Sequence, residues 1–338
     1  MDNGFVIGLV DSSVVSPQNI GFIEDWNTDC LRELSESPAG SYTDIVNMVF
    51  SQLPEMNVKK CLEITADEGG DKEFRKFLAE SQYDLALESL NRLPKIQTEC
   101  STLVFSHSSI EQAVFGSNAT RLAVAKKWQK AQYYSLSQQC NLSLFHALEI
   151  INETFKNENC QDSNAVFCSA EKWVKPYPRK FSHLDSFSDG ACSLRISSDP
   201  NSPVNLGGLY FETGDTLLTL EKGRPQWNMS MAERVFKSAF KNCIHSLFRN
   251  DVSDLKVMIS VPSSVLKDRI IRDIKSDVAS LKSDRDGYFG SADAALLVHD
   301  LITDIKFGRN GNKKQSYLLC AMNPCGNFGA ALLSSGKE

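Results

Sequence analysis

Histidine is scarce in this chain, basic blocks are absent and no apolar run is long. None of the apolar stretches approaches the ~20 residues that a bilayer-crossing helix needs. The opening segment, Met1 to Val10, lacks both the basic start and the ~7–15-residue apolar centre of a signal peptide and reads as a first β-strand. The end, Ser335-Gly336-Lys337-Glu338, carries no lipidation motif. These absences point to a cytoplasmic protein with no membrane partner. Lysine and arginine are scattered, and the formal net charge is -6, which argues against nucleic acid as a partner. The 10 cysteines include no CxxC pair, and several lie inside apolar runs. They read as reduced thiols rather than a disulfide scaffold, and no metal site is expected. Only 5 histidines are available for proton transfer.

What is present is enough apolar material for a large core. A chain of 338 residues that is 42% apolar exceeds the usual size of one domain. Two domains, or one two-lobed domain, are expected. Short apolar runs at Phe5 to Val10, Thr102 to Phe105, Ala165 to Ala170, Val257 to Val261 and Tyr317 to Met322 read as buried strands. Between them, apolar positions recur at spacings of three and four over Asp71 to Leu93, Leu142 to Phe155, Met231 to Phe248 and Leu266 to Leu281, the signature of helices. Such alternation predicts an α/β architecture with largely parallel sheets. A cluster of Ser, Asp, Pro, Asn and Gly from Ser197 to Gly208 marks the join between two lobes. The basic, proline-containing stretch Lys172 to Lys180 reads as an exposed loop.

One segment carries chemistry on its own terms. In Tyr133-Tyr134-Ser135-Leu136-Ser137-Gln138-Gln139-Cys140-Asn141, Cys140 precedes a helix whose apolar stripe runs through Leu144, Leu148, Ile151 and Phe155. A cysteine on the opening turn of a helix meets unpaired N–H groups and the positive end of the dipole, which favour the thiolate and can lower its pKa below the free value of ~8.5. A thiolate is a good acyl acceptor. Local features alone favour a buried structural cysteine.

Read together, several segments resemble the ketosynthase III type of the thiolase-like superfamily. Gln138-Gln139-Cys140 is similar to that family's nucleophile segment. Ser101 to Ser106 looks like the strand leading to its substrate loop, and Ala165 to Lys172 like its strand ending in Ala-Glu-Lys. Phe187 to Leu194 matches a strand opening Gly-Asp-Gly-Ala, and Asn323 to Leu333 the final glycine-containing turn and strand. The resemblance implies an α/β thiolase-like fold of two pseudo-symmetric βαβαβ-type halves in five layers, residues 1–196 and 205–338. It also implies a homodimer, or a heterodimer with a related subunit, and a tunnel for a pantetheine arm.

The resemblance further implies a nucleophilic Cys140 that takes an acyl group from acyl-CoA or an acyl carrier protein, with no resident cofactor, and backbone donors for the oxyanion near Gly326 and Gly329. Family members that condense malonyl units add a His and an Asn. At the positions where these should fall, the chain has Ser263 and Tyr288, neither a good proton shuttle near neutral pH. His183, in a loop before Asp189-Gly190, and His107, after a strand end, are the substitutes to consider. Asp293 could orient a base or cap the next helix. The implied activity is acyl transfer in secondary-metabolite or specialised fatty-acyl biosynthesis, with conventional decarboxylative condensation in doubt. The alternatives are a catalytically reduced partner of an active ketosynthase-like subunit, and a condensing enzyme with an unusual base.

Overall fold

The computed structural model describes residues 7–17, 19–36, 73–76, 80–94, 100–109, 116–158, 163–175, 177–221, 224–248, 255–274, 287–308 and 314–335. The first set of elements is β1 (Ile7–Val15), β2 (Asn19–Phe22), α1 (Ile23–Glu36), β3 (Glu73–Lys76), α2 (Gln82–Arg92), β4 (Cys100–His107), α3 (Asn118–Ala125), β5 (Gln132–Ser137), α4 (Ser143–Glu158), β6 (Asn164–Glu171) and β7 (Gly190–Ser197). After a short loop come β8 (Val204–Glu212), β9 (Leu218–Glu221), β10 (Arg224–Trp227), α5 (Met229–Leu247), β11 (Lys256–Ser260), α6 (Ser264–Asp273), α7 (Asp293–Lys306), β12 (Gln315–Met322) and β13 (Phe328–Ser335).

Nine strands join in the order β11-β12-β13-β8-β1-β7-β6-β4-β5. The centre is a short antiparallel pairing of β1 with β8, Ile7 opposite Leu206 and Leu9 opposite Val204. Outward from it on both sides, the opening strand lies beside the closing strand, then the next to last, then an earlier one. The second half thus repeats the first.

Side-chain alternation sorts the strands into layers. In β6, Ala165 and Phe167 face a central cluster, while Val166 and Cys168 face the cluster covered by α2 and α3. In β12, Tyr317, Leu319 and Ala321 face the same central cluster, while Leu318, Cys320 and Met322 face the cluster covered by α5 and α6. Helices α4 and α7 fill the centre between the two sets of strands. Outer helices, strands, central helices, strands and outer helices give the five-layer stacking. On α4, Leu144, Phe145, Leu148, Ile151 and Phe155 are fully buried, each stabilising by roughly 1.5–3 kcal/mol.

The structure corrects several sequence expectations. Among the described residues, strands pair in parallel only at β4–β5, β4–β6 and β11–β12; the closing strands β7 and β13 run antiparallel to their predecessors. They return through loops in which no helix occurs among the described residues, so the sheet is mixed. In place of one helix from Asp71 to Leu93, β3 pairs with β2 and α2 begins only at Gln82. A reciprocal cap starts it there: Ser81 Oγ accepts from the Asp84 amide, and Asp84 accepts from the Ser81 amide at 3.0 Å. The helix begun near Leu266 ends at Asp273, and residues 275–286 lie outside the described set. The loop between the lobes is shorter than expected because β8 starts at Val204.

The Lys172 to Lys180 stretch is not an exposed loop. Arg179 and Lys180 are fully buried and Lys172 nearly so. Arg179 donates to the Phe187 and Trp173 carbonyls and to Asp189, each at 2.9 Å, and its guanidinium lies 4.3 Å from the Trp26 ring centre. Lys172 Nζ stands 3.3 Å from the same Asp189. A buried carboxylate with two cations explains why basic residues turn inward.

Candidate active site

Strand β5 ends at Ser137, and the chain then turns sharply into the central layer. Gln138 has φ 62° and Cys140 φ 50°, both in the left-handed region that costs a side-chain-bearing residue energy. Cys140–Leu142 form a single 3-10 turn that runs directly into α4. The strain is held by the neighbouring Asn141, which is fully buried. Its amide N–H donates to the Tyr288 hydroxyl at 3.3 Å. Its side-chain Nδ2 donates to the Ser260 carbonyl at 2.8 Å, to Ser260 Oγ at 2.9 Å and to the Met322 carbonyl at 3.2 Å. Ser260 Oγ in turn donates to Asp293 at 2.6 Å. One asparagine therefore ties the thiol-bearing turn to the ends of β11 and β12 and to the head of α7.

The groups that act most strongly on the Cys140 thiol are the hydroxyls of Ser108 and Tyr288, the carboxylate of Glu171 and the thiol of Cys325. No histidine is among them. Burial pushes the thiol up to about 12; Glu171 and Cys325 push the same way, while the nearby hydroxyls of Ser108 and Tyr288, able to donate to an ionised sulfur, pull down. The direction is opposite to the low thiolate pKa expected for a helix start, and desolvation of the sulfur is its largest cause. The Tyr288 hydroxyl is also raised well above its ordinary value, first by burial and then by the Cys140 charge. It stays protonated and acts as a neutral hydrogen-bond donor.

Glu171, at the end of β6, was legible only as part of a strand. It is fully buried and accepts from the Ser108 amide at 2.8 Å, the Ser109 amide at 2.7 Å, the Ser291 amide at 2.8 Å and Ser291 Oγ at 2.7 Å. It joins the loop after β4 to the turn Gly290–Ala292 that precedes α7. Gly290, with φ 52°, permits this approach: a Cβ there would lie 2.6 Å from Glu171 Oε1.

The other expected site residues are placed as follows. Tyr288 meets Cys140, as described. Ser263 is the N-cap of α6, its Oγ accepting from the Leu266 amide at 3.4 Å, so its hydroxyl is engaged in capping. His107 is buried at the end of β4, with Nδ1 2.8 Å from the Ser109 carbonyl and its ring stacked on Phe105 at 5.6 Å. His183 is half-buried in the turn closed by the Leu184 amide on the Phe181 carbonyl at 3.0 Å. Asp293 holds Ser260 and accepts from the Phe289 amide at 3.4 Å.

The oxyanion role expected of the final turn does not rest on free glycine amides. The Gly326 N–H donates to the Asn323 carbonyl at 3.0 Å and closes the β12–β13 turn. Gly329 sits inside the ladder, opposite Ala321 on one side and Phe211 on the other. A Cβ at Gly329 would stand 3.1 Å from Leu142 Cδ2. Its bareness makes room for the turn that carries Cys140.

No protein-family description and no curated protein matches the sequence. Solved structures do match. A beta-ketoacyl-(acyl carrier protein) synthase III from Thermus thermophilus is similar over 98% of this chain and 100% of its own, with TM-score 0.67 and 17% identity. An OleA variant from Xanthomonas campestris is similar over 97% of this chain and 98% of its own, with TM-score 0.67 and 12% identity. ChlB3, described as an acyltransferase, is similar over 98% of both chains, with TM-score 0.69 and 13% identity. Repeated strand order, stacked central helices and similarity along the full chain agree that this protein has the thiolase-like fold of the 3-oxoacyl-(acyl carrier protein) synthase III type.

Proposed function

We propose that the protein is a ketosynthase III-like acyltransferase in which Cys140 takes an acyl group from a CoA or acyl-carrier-protein thioester and passes it to an acceptor. The observation that carries this reading is the strained turn that presents Cys140 at the head of a buried helix, with the Tyr288 hydroxyl donated to the same site. Loading is a thioester exchange. The Cys140 Sγ–acyl bond forms, the donor's acyl–sulfur bond breaks, and the Cys140 proton leaves on the donor's thiol. This route suits a site with a neutral thiol, because the departing thiolate is itself the base. Transfer to an amine, a hydroxyl or a carbon nucleophile follows, in secondary-metabolite or specialised fatty-acyl biosynthesis.

Conventional decarboxylative condensation is not supported. That chemistry needs preorganised donors for an enolate, and loss of one such donor costs ~10²–10³ in rate. Ser263 caps α6, and Tyr288 offers a single hydroxyl. One observation favours the reduced partner-subunit reading: a thiol pushed up to about 12 is a weak nucleophile at neutral pH. Pairing with a second subunit, identical or related, fits strand β5, an edge strand whose Tyr133 and Tyr134 are 48% and 36% exposed.

Single-turnover experiments with labelled acyl-CoA and malonyl thioesters test the proposal. It predicts acyl label on the protein, discharged by a small nucleophile, with little carbon dioxide release. Rapid release would replace it with a condensing enzyme, and the absence of both label and release would favour the partner subunit.

A further inference from the structure

Among the buried hydroxyls without a partner, one lies in a loop tied to the Cys140 turn. Ser108 Oγ, in the loop after β4, is shielded from solvent and has no hydrogen-bond partner in the resting arrangement. Its backbone is fixed on both sides. The Ser108 N–H donates to Glu171 Oε1 at 2.8 Å, and its carbonyl accepts from Gln138 Nε2 at 3.3 Å. The Gln138 amide also donates to the His107 carbonyl at 3.2 Å. The loop and the thiol-bearing turn are thus stitched together two residues before Cys140, which sets the unpartnered Ser108 hydroxyl close enough to act on the sulfur.

Orphaned buried hydroxyls cost free energy unless they find a partner. Here the partner is created by the reaction, since a thiol accepts weakly and a thiolate accepts strongly. Tyr288 supplies a second hydroxyl from the other half of the molecule. The other titratable groups that act on the sulfur, the Glu171 carboxylate and the Cys325 thiol, both oppose its ionisation. Hydroxyl donors are therefore what remains to hold negative charge while the proton is in transit.

We infer that Ser108 is a catalytic residue whose hydroxyl, paired with that of Tyr288, donates to the Cys140 sulfur as it ionises. The inference deepens the acyl-transfer reading and rests on it for its use in the reaction, but its effect on the thiol is measurable without any acyl donor.

The test is the pH profile of Cys140 alkylation by iodoacetamide, read on the Cys140 peptide by mass spectrometry so that Cys325 is scored separately. Removing a hydrogen bond to a charged group in Ser108→Ala should slow alkylation about tenfold at a given pH and move the profile up by about one unit. Ser108→Thr, which keeps the hydroxyl, should restore most of the rate. Ser108→Gly deletes the same hydroxyl and serves if the alanine variant does not fold. An unchanged profile in a folded hydroxyl-less variant overturns the inference, whatever the protein does with thioesters. A shifted profile in a protein that takes no acyl group upholds the donor role and removes the acyltransferase reading instead.

Discussion

The turn that carries Cys140 and the turn that carries Gly290 occupy corresponding places in the two halves of the fold. Each is a single 3-10 turn leading into a buried central helix, with φ 50° at Cys140 and 52° at Gly290. The backbone is the same and the loading is opposite. In the first half the left-handed position bears a thiol in spite of the strain. In the second it bears no side chain, and the vacated space admits the Glu171 carboxylate. One position is therefore strained for chemistry and its counterpart is relaxed for packing, as expected when function and stability compete at a special backbone geometry.

The comparison breaks most sharply at Cys140 itself. Cys140→Gly should abolish acyl uptake entirely while leaving stability unchanged or raised by about 1 kcal/mol, because glycine relieves the left-handed strain. Thermal unfolding alongside the acylation assay checks both parts, and a marked loss of stability would show that the thiol is a packing residue. At the counterpart, Gly290→Ala should lower stability by about 2–4 kcal/mol, from the backbone penalty together with the clash on Glu171. Denaturant titration reads this, and a neutral result would remove the claim that the carboxylate needs the glycine. Between the halves, Tyr288→Phe keeps the ring, whose centre lies 5.7 Å from that of Phe187, and deletes only the hydroxyl. Acyl uptake should slow by about 10–100-fold, with a stability loss near 1 kcal/mol. An unaltered rate in stopped-flow loading would deny Tyr288 its donor role.

Much of this fold was legible in the sequence because strands such as Ala165 to Ala170 and the α4 stripe obey local periodicity, and because the order of several weak segment resemblances spans most of the chain. Cys140 was legible for the same reason: the residue after a strand and before an apolar helix has a definable environment. Ser108 and Glu171 were not. Their placement arises from contacts between residues far apart in the chain, Ser108 with Gln138 and Glu171 with Ser291, and neither segment carries a local signal. The histidines are hard to place from sequence for a related reason. His107 and His183 have the right chemistry and suitable loop positions, but sequence gives no distance to the sulfur, and the hydroxyls of Ser108 and Tyr288 act on it instead. Even the sign of the Cys140 shift was hidden, since a helix start is a local feature and burial is not.

The central claim is that Cys140 is an acyl carrier, and intact-protein mass spectrometry tests it most directly. Wild type and Cys140→Ala are incubated with a panel of acyl-CoA and acyl-carrier-protein thioesters at neutral pH and weighed. The account predicts one acyl increment on the wild type with at least one donor and none on the variant. Equal increments on both proteins, or none on either across a broad panel, would contradict it.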